Sequence, residues 1–228
     1  MLRFILPFFM AVFFPFFPAH AANTDIESYT KELISLNKNI GTYYFIGDHI
    51  QENIADSDNQ QIGTVQDFLI NSRGEVEQLV GDLNTMAFGD QILNIAYEEI
   101  DRAESSYQVA YKAAEMEEHL ATWLASIETA SGEESEGLVS ARRLHGREIL
   151  LPTGESIGEV ERVITDKETR KVVGVLIKDM LTRPEHERIA LPYPNGLRIK
   201  NTGLSNDLEL AEEYVEVVQQ FTAEGIPD

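Results

Sequence analysis

The sequence predicts a mainly β fold with flanking α-helices, arranged as two tandem small β-barrels. Three observations carry that expectation. The stretch "QQIGTVQDFLINSRGEVEQLV" at residues 60–80 returns in physical outline at residues 155–176 as "ESIGEVERVITDKETRKVVGVL". Both stretches are rich in β-branched and aromatic residues broken by polar turns, which marks strands. Each leads on to a segment whose apolar residues recur at helical spacing. One duplication at an offset of 95 residues describes two sibling domains, whereas a solenoid would repeat every ~20 to 50 residues.

Taken in order, residues 1–21, "MLRFILPFFMAVFFPFFPAHA", set Arg3 before an apolar run from Phe4 to Phe17 and a small-x-small triplet, Ala19-His20-Ala21. This layout predicts a signal peptide cleaved after Ala21. The run is shorter than the ~20 residues a membrane-spanning helix needs, and Pro7 and Pro15 interrupt it. A mature chain exported to the periplasm is therefore expected, with no stable membrane insertion after signal removal. Residues 22–41 form a helical segment in which Ile26, Tyr29, Leu33 and Leu36 share one face and Asp25 offers an N-cap.

The first domain spans 42–126. Its opening "TYYFIGDHIQENI" favours extended structure and leads into the polar turn "ADSDNQ". A shift of 95 residues superposes Ile54 on Ile149, Asn59 on Gly154, Ile62 on Ile157, Gly63 on Gly158, Val65 on Val160, Leu69 on Ile164 and Asn71 on Asp166. After one inserted residue, Val76 meets Val172, Leu79 meets Val175, Val80 meets Leu176, Ile95 meets Leu191 and Tyr97 meets Tyr193. Asn59 and Gly154 suit the left-handed conformation of a tight hairpin turn. Gly63 and Gly158 open a strand, where a bulge or sharp bend is expected. Each copy thus reads strand, turn, strand, turn, strand.

The copies also end alike. In the first, "SYQVAY" reads as a last strand and "AAEMEEHLATWLASI" as a helix with Met116, Leu120 and Leu124 on one face. In the second domain, 142–222, "LRIK" is the expected last strand. A helix "LSNDLELAEEYVEVVQQF" follows, striped by Leu208, Ala211, Val215 and Val218 and capped by Ser205 or Asn206. Residues 127–141, "IETASGEESEGLVSA", are an acidic linker, and 223–228 a fraying tail.

The series "LHGREILLPTGESIGEVERVITDKETRKVVGVLIKD" followed by "RIALPY", roughly His145 to Ile199, resembles the PRC-barrel family. The first copy is the weaker match, with a polar "SDNQQ" turn, Asp67 inside a strand and "AYEEI" where the second has "PYPNG". The resemblance implies a β-barrel of about six strands and a life spent docking on partners, as in ribosome-maturation modules and a photosynthetic reaction-centre subunit. It implies no catalytic activity.

Composition narrows the function further. Thirty-nine acidic against eighteen basic residues give a net charge of −21, which repels phosphate backbones and argues against a nucleic-acid partner. The chain has no cysteine, so it has no thiol nucleophile, thiolate zinc site or disulfide, and burial must stabilise it.

Candidate chemistry is sparse. His49, His119, His145 and His186 show no zinc-ligand spacing. "DSDNQQIGTVQD" starts like a calcium loop with Asp56 and Asp58 but lacks the glycine at position six and ends in Asp67 instead of Glu, so a polar hairpin turn is expected. Ser156 in "GESIG" is a turn residue, not a hydrolase nucleophile, and no phosphate-binding glycine loop is present. Trp123 reads as packing, and Tyr43, Tyr44 and Phe45 as partner anchors or core.

The expectation is a non-enzymatic binding or scaffolding protein of the envelope, with no cofactor or metal and an unidentified protein partner. The competing expectation is an acidic cation-binding or stress-buffering periplasmic protein, motivated by clusters such as "GEESEG", "EMEEHL" and "ELAEEY".

Overall fold

A computed structural model describes residues 19–85, 89–103, 106–112, 138–167, 169–179, 188–201 and 206–224. The first half contributes β1 (Tyr44–Phe45), β2 (Asn53–Ala55), β3 (Gln61–Ile70), β4 (Val76–Thr85), β5 (Gly89–Ala96), β6 (Ile100–Arg102) and β7 (Ser106–Val109). The second contributes β8 (Val139–Ser140), β9 (Glu148–Leu150), β10 (Ser156–Thr165), β11 (Val172–Asp179), β12 (Arg188–Pro192), β13 (Leu197–Asn201) and β14 (Asn206–Leu210). They build two curled seven-stranded sheets, ordered β5-β4-β3-β2-β7-β6 and β12-β11-β10-β9-β14-β13. The fold is mainly β with flanking helices, as the alternating strands and polar turns predict.

The two sheets share their register. In the first, Gly63 pairs with Leu83, Val65 with Gly81 and Phe68 with Leu79, with a register shift between Val65 and Asp67. In the second, Gly158 pairs with Asp179, Val160 with Ile177 and Val163 with Val175, with the shift between Val160 and Arg162. These pairs correspond at 95 residues on β3 and β10 and at 96 on β4 and β11. The expected irregularity is present, since the pairing of β3 with β2 and of β10 with β9 shifts register beside each glycine, and the glycines serve a second purpose as well. A Cβ on Gly63 would lie 2.3 Å from Asp82 O, and one on Gly158 2.6 Å from Lys178 O, so both permit close backbone approach by the neighbouring strand.

The smallest strands change places. β1 pairs with β10 of the second sheet through Tyr44–Thr165 and Phe45–Ile164. β8 pairs with β3 of the first through Val139–Ile70 and Ser140–Leu69. The exchange is reciprocal, since both strands lie at equivalent places in their own halves. It also joins the interiors. Helix Ala141–Leu144, directly after β8, touches β3, β10, β14 and the turn Ile46–His49. Ile46, Ala141 and Leu144 belong to one apolar cluster that runs from Phe68 and Leu79 in the first half to Val163 and Leu208 in the second. Where two closed sheets with separate interiors were expected, the sheets are distinct but their core is continuous.

The N-terminal helix runs Ala19–Lys38. It starts upstream of the expected cap because Ala19, Ala21 and Ala22 are strong helix formers, leaving Asp25 inside it. Tyr29, Leu33 and Leu36 are buried as their spacing predicts. The helix packs on β12, and Asn37 substitutes for a further strand there. Its Nδ2 donates to Ala190 O at 2.8 Å and its Oδ1 accepts from Ala190 N at 2.9 Å. The Tyr29 ring stacks on Tyr214 at 4.1 Å between centroids.

At the other end, the helix expected from Leu204 begins only at Val215 and runs to Glu224. Asn206–Leu210 is instead the last strand, and Leu197–Asn201, the "LRIK" segment, is the one before it. The reason is tertiary. Leu208 and Leu210 alternate to one side, where β14 pairs with β9 in parallel and β13 antiparallel, and that ladder overrides the helical spacing. The predicted helix carrying Met116, Leu120 and Leu124, most of the acidic linker and the bulk of the signal segment lie outside the described residues.

Candidate functional site

The site is built where the second turns of the two halves meet. Asn71 opens one turn by accepting from Arg73 N at 2.8 Å and Glu75 N at 3.0 Å through Oδ1. Asp166 opens the equivalent turn by accepting from Thr169 N at 2.7 Å and Thr169 Oγ1 at 2.8 Å. The turns join edge to edge. Val172 N donates to Gly74 O at 2.7 Å, Glu75 and Lys171 form a bridge pair, and Lys171 Nζ contacts Glu75 Oε1 at 2.9 Å. Gly74 sits at φ +77, and a Cβ there would stand 2.5 Å from Val172 O, so this junction requires glycine. The hydrogen bonds from Asn71 and then Lys171 hold the Glu75 carboxyl down at about 2.

Beside this seam opens a cleft of about 580 Å³, walled by Val76, Gln78, Ala96 and Tyr97 from the first half and Leu138, Arg170 and Lys171 from the second. It shares Val76, Tyr97 and Arg170 with a smaller pocket of about 40 Å³. The smaller pocket is aromatic. Tyr44, His49, Tyr107, Phe68 and Tyr97 form a chain of ring contacts with centroids 5.5, 6.3, 5.7 and 6.2 Å apart. The strand exchange puts Tyr44 there, because β1 carries it across to β10 beside the turn of Lys167. Burial raises the Tyr107 hydroxyl above its ordinary value, and burial likewise raises Tyr97.

Cations gather on those rings. Lys167 Nζ lies 4.2 Å from the Tyr44 centroid, Arg102 Cζ 4.9 Å from that of Tyr107, and Arg170 Cζ 5.7 Å from that of Tyr97. Arg102 Nη1 also donates to the Tyr107 hydroxyl. His49 Nδ1 is 2.9 Å from Glu52 Oε1 and 3.1 Å from Arg102 Nη2, so the one buried histidine among the described residues is held in a network within the fold. Glu52 Oε2 makes no hydrogen bond, but Arg102 Nη2 lies 3.4 Å away as its ion-pair partner.

The other sequence candidates resolve locally. Asp56 is buried, and its Oδ1 accepts from Asp58 N at 3.0 Å and Gln60 N at 2.8 Å, while Asn59 takes φ +61: this is a hairpin turn. Asp58 pairs with Lys112 at 3.0 Å. Asp67, the anomalous acid in a strand, reaches across the exchange, with Oδ1 accepting from Arg142 N at 3.0 Å and Oδ2 from the Ser140 hydroxyl. Ser156 lies not in the expected turn but at the start of β10, paired with Leu150 of β9, and Tyr43 packs against the cluster around Leu36. Phe45 lies under Arg162 at 4.6 Å and borders, with exposed His145, a second hollow of about 190 Å³. His119, His186 and Trp123 lie outside the described residues. Among the described residues no group of three or more histidine, aspartate or glutamate side chains is placed to hold a metal ion.

Residues 136–205 match the PRC-barrel domain, a domain of binding or scaffold type. No curated protein matches the chain. The matched stretch covers β8 to β13, the part of the sequence that carries the resemblance most fully. Arg102, Lys167, Arg170 and Glu52 carry no signal in the sequence, since they come from separate segments and converge only through the fold. The one trace is Arg170, which occupies the turn position where the first half has Gly74.

Proposed function

We propose that the protein is an exported, non-enzymatic binding or scaffolding protein of the bacterial envelope, in which two PRC-barrel-type halves present one composite cleft to a protein partner. The observation that carries this reading is the cleft beside the Gly74–Val172 seam, whose walls come from both halves, so that a partner seated there engages the joined pair. The PRC-barrel match at residues 136–205 supports binding as the class of work. A second PRC-type barrel in the first half is supported by the pairing registers that the two sheets share. Export is supported by the apolar run and the Ala19-His20-Ala21 triplet of the first twenty-one residues.

A photo-crosslinking side chain at Glu98, on the cleft rim, tests the reading in cells, with exposed Lys31 on the N-terminal helix as the control. Position 98 is expected to give a discrete protein adduct that position 31 does not. Identical patterns from both positions, or no adduct from 98, would defeat the docking role.

A further inference from the structure

Resting on that docking role, the chemistry of the smaller pocket narrows the partner. Among the described residues, the two carboxylates near its wall are engaged within the fold, Glu52 with His49 and Arg102, and Asp166 with its own turn at Thr169. Lys167 and Arg170 are held against tyrosine faces, and no carboxylate among the described residues pairs with either. Two such cations in a chain of net charge −21 are out of keeping with the general surface. Arg170 also stands at φ +58, a left-handed conformation for which the equivalent turn uses Gly74 at φ +77. Positive φ is uncommon outside glycine, and in this chain it recurs at Gln51 and Asn59.

We propose that this pocket binds a single carboxylate, that of an acidic residue on an extended and otherwise apolar segment of the partner protein, whose flanking side chains lie along the cleft on Val76, Ala96 and Leu138. A volume of about 40 Å³ is sufficient for a group of carboxylate size. An ammonium or guanidinium resting on a ring keeps N–H groups free to make charge-assisted hydrogen bonds. The overall negative charge repels a polyanion, yet over a Debye length of ~8 Å a lone carboxylate in the pocket is governed by the cations beside it. Glu77 and Glu98 along the cleft, unlike Glu75 with its Lys171 partner, disfavour acids in the flanking positions, which selects one acid among apolar neighbours.

Selection of a randomised peptide library on the full mature chain tests this. Recovered peptides are expected to share one Asp or Glu between apolar residues. A synthetic peptide of that consensus is expected to bind at least tenfold more weakly with the acid changed to its amide, or on protein carrying Lys167→Gln with Arg170→Asn. Asn tolerates the left-handed turn, Lys167→Gln alone provides a milder variant, and urea midpoints confirm that each remains folded. Peptides without a shared acid, binding indifferent to the amide, or binding unchanged in both variants would overturn the proposal. So would displacement of the peptide by inorganic phosphate where equimolar acetate has no effect. A cleft adduct in cells alongside acid-indifferent peptides removes the carboxylate assignment and leaves docking standing, whereas absence of any adduct removes docking itself.

Discussion

Gly63 and Gly158 stand where two backbones touch, and they show how much a single residue conveys by itself. A Cβ on Gly63 would come within 2.3 Å of Asp82 O and 2.9 Å of Leu83 Cα, both main-chain atoms of the paired strand that cannot turn aside. Gly47, in the turn Ile46–His49, has nothing within 4 Å of a Cβ and no positive φ. Gly63→Ala is therefore expected to cost about 2 to 3 kcal/mol through overpacking, and Gly47→Ala to stay within about 0.5 kcal/mol. Urea denaturation of the two variants checks the contrast, and equal costs would refute the close-approach account. Asn59 and Gly154 were legible in the sequence because tolerance of positive φ belongs to the residue type. The purpose of Gly63 was not, because it depends on a strand twenty residues further along.

The exchanged elements are balanced in geometry but not in chemistry. Asp67 on β3 and Arg162 on β10 are equivalent positions, each reaching toward the strand or turn that the other half supplies. Asp67 accepts from the Arg142 N–H and the Ser140 hydroxyl, and Ser140 Oγ in turn accepts from Arg143 N at 3.0 Å, so together they cap helix Ala141–Leu144. Arg162 meets Asp48 at 3.2 Å with both side chains largely exposed. Losing a cap costs about 1 to 2 kcal/mol, whereas an exposed ion pair contributes ~0 to 1 kcal/mol. Asp67→Ala should therefore destabilise the protein more than Arg162→Ala, as judged by the urea midpoints of both, and the reverse order would sink this view of the exchange. The sequence marked Asp67 as out of place in a strand without showing its target, since Ser140 lies 73 residues away. The same limit hid the strand at Asn206–Leu210: its alternation is brief, and the helical spacing around it is longer.

At the scale of the molecule, the continuous core places tyrosines where ionisation and folding are linked. Burial raises the hydroxyls of Tyr29, Tyr97, Tyr107, Tyr193 and Tyr214 above the ordinary 10.0. From about pH 10 upward the unfolded chain loses these protons before the folded one does, so it binds fewer protons and stability falls as pH rises. Glu75 works in the other direction. Its carboxyl is held at about 2 against an ordinary 4.5, so its contribution is present at neutral pH and lost as pH falls from about 4.5 toward 2. Excess acid adds to the alkaline effect, because each new tyrosinate increases the self-repulsion of a chain already at −21. The phenolate absorbance of these five among the chain's eight tyrosines and the far-ultraviolet circular dichroism, followed together through an alkaline titration, should therefore change in one cooperative step above pH 10. More than three phenolates formed while the β signal stays intact would show that these rings are not sealed in a shared core, and with it the continuity between the two halves would fail.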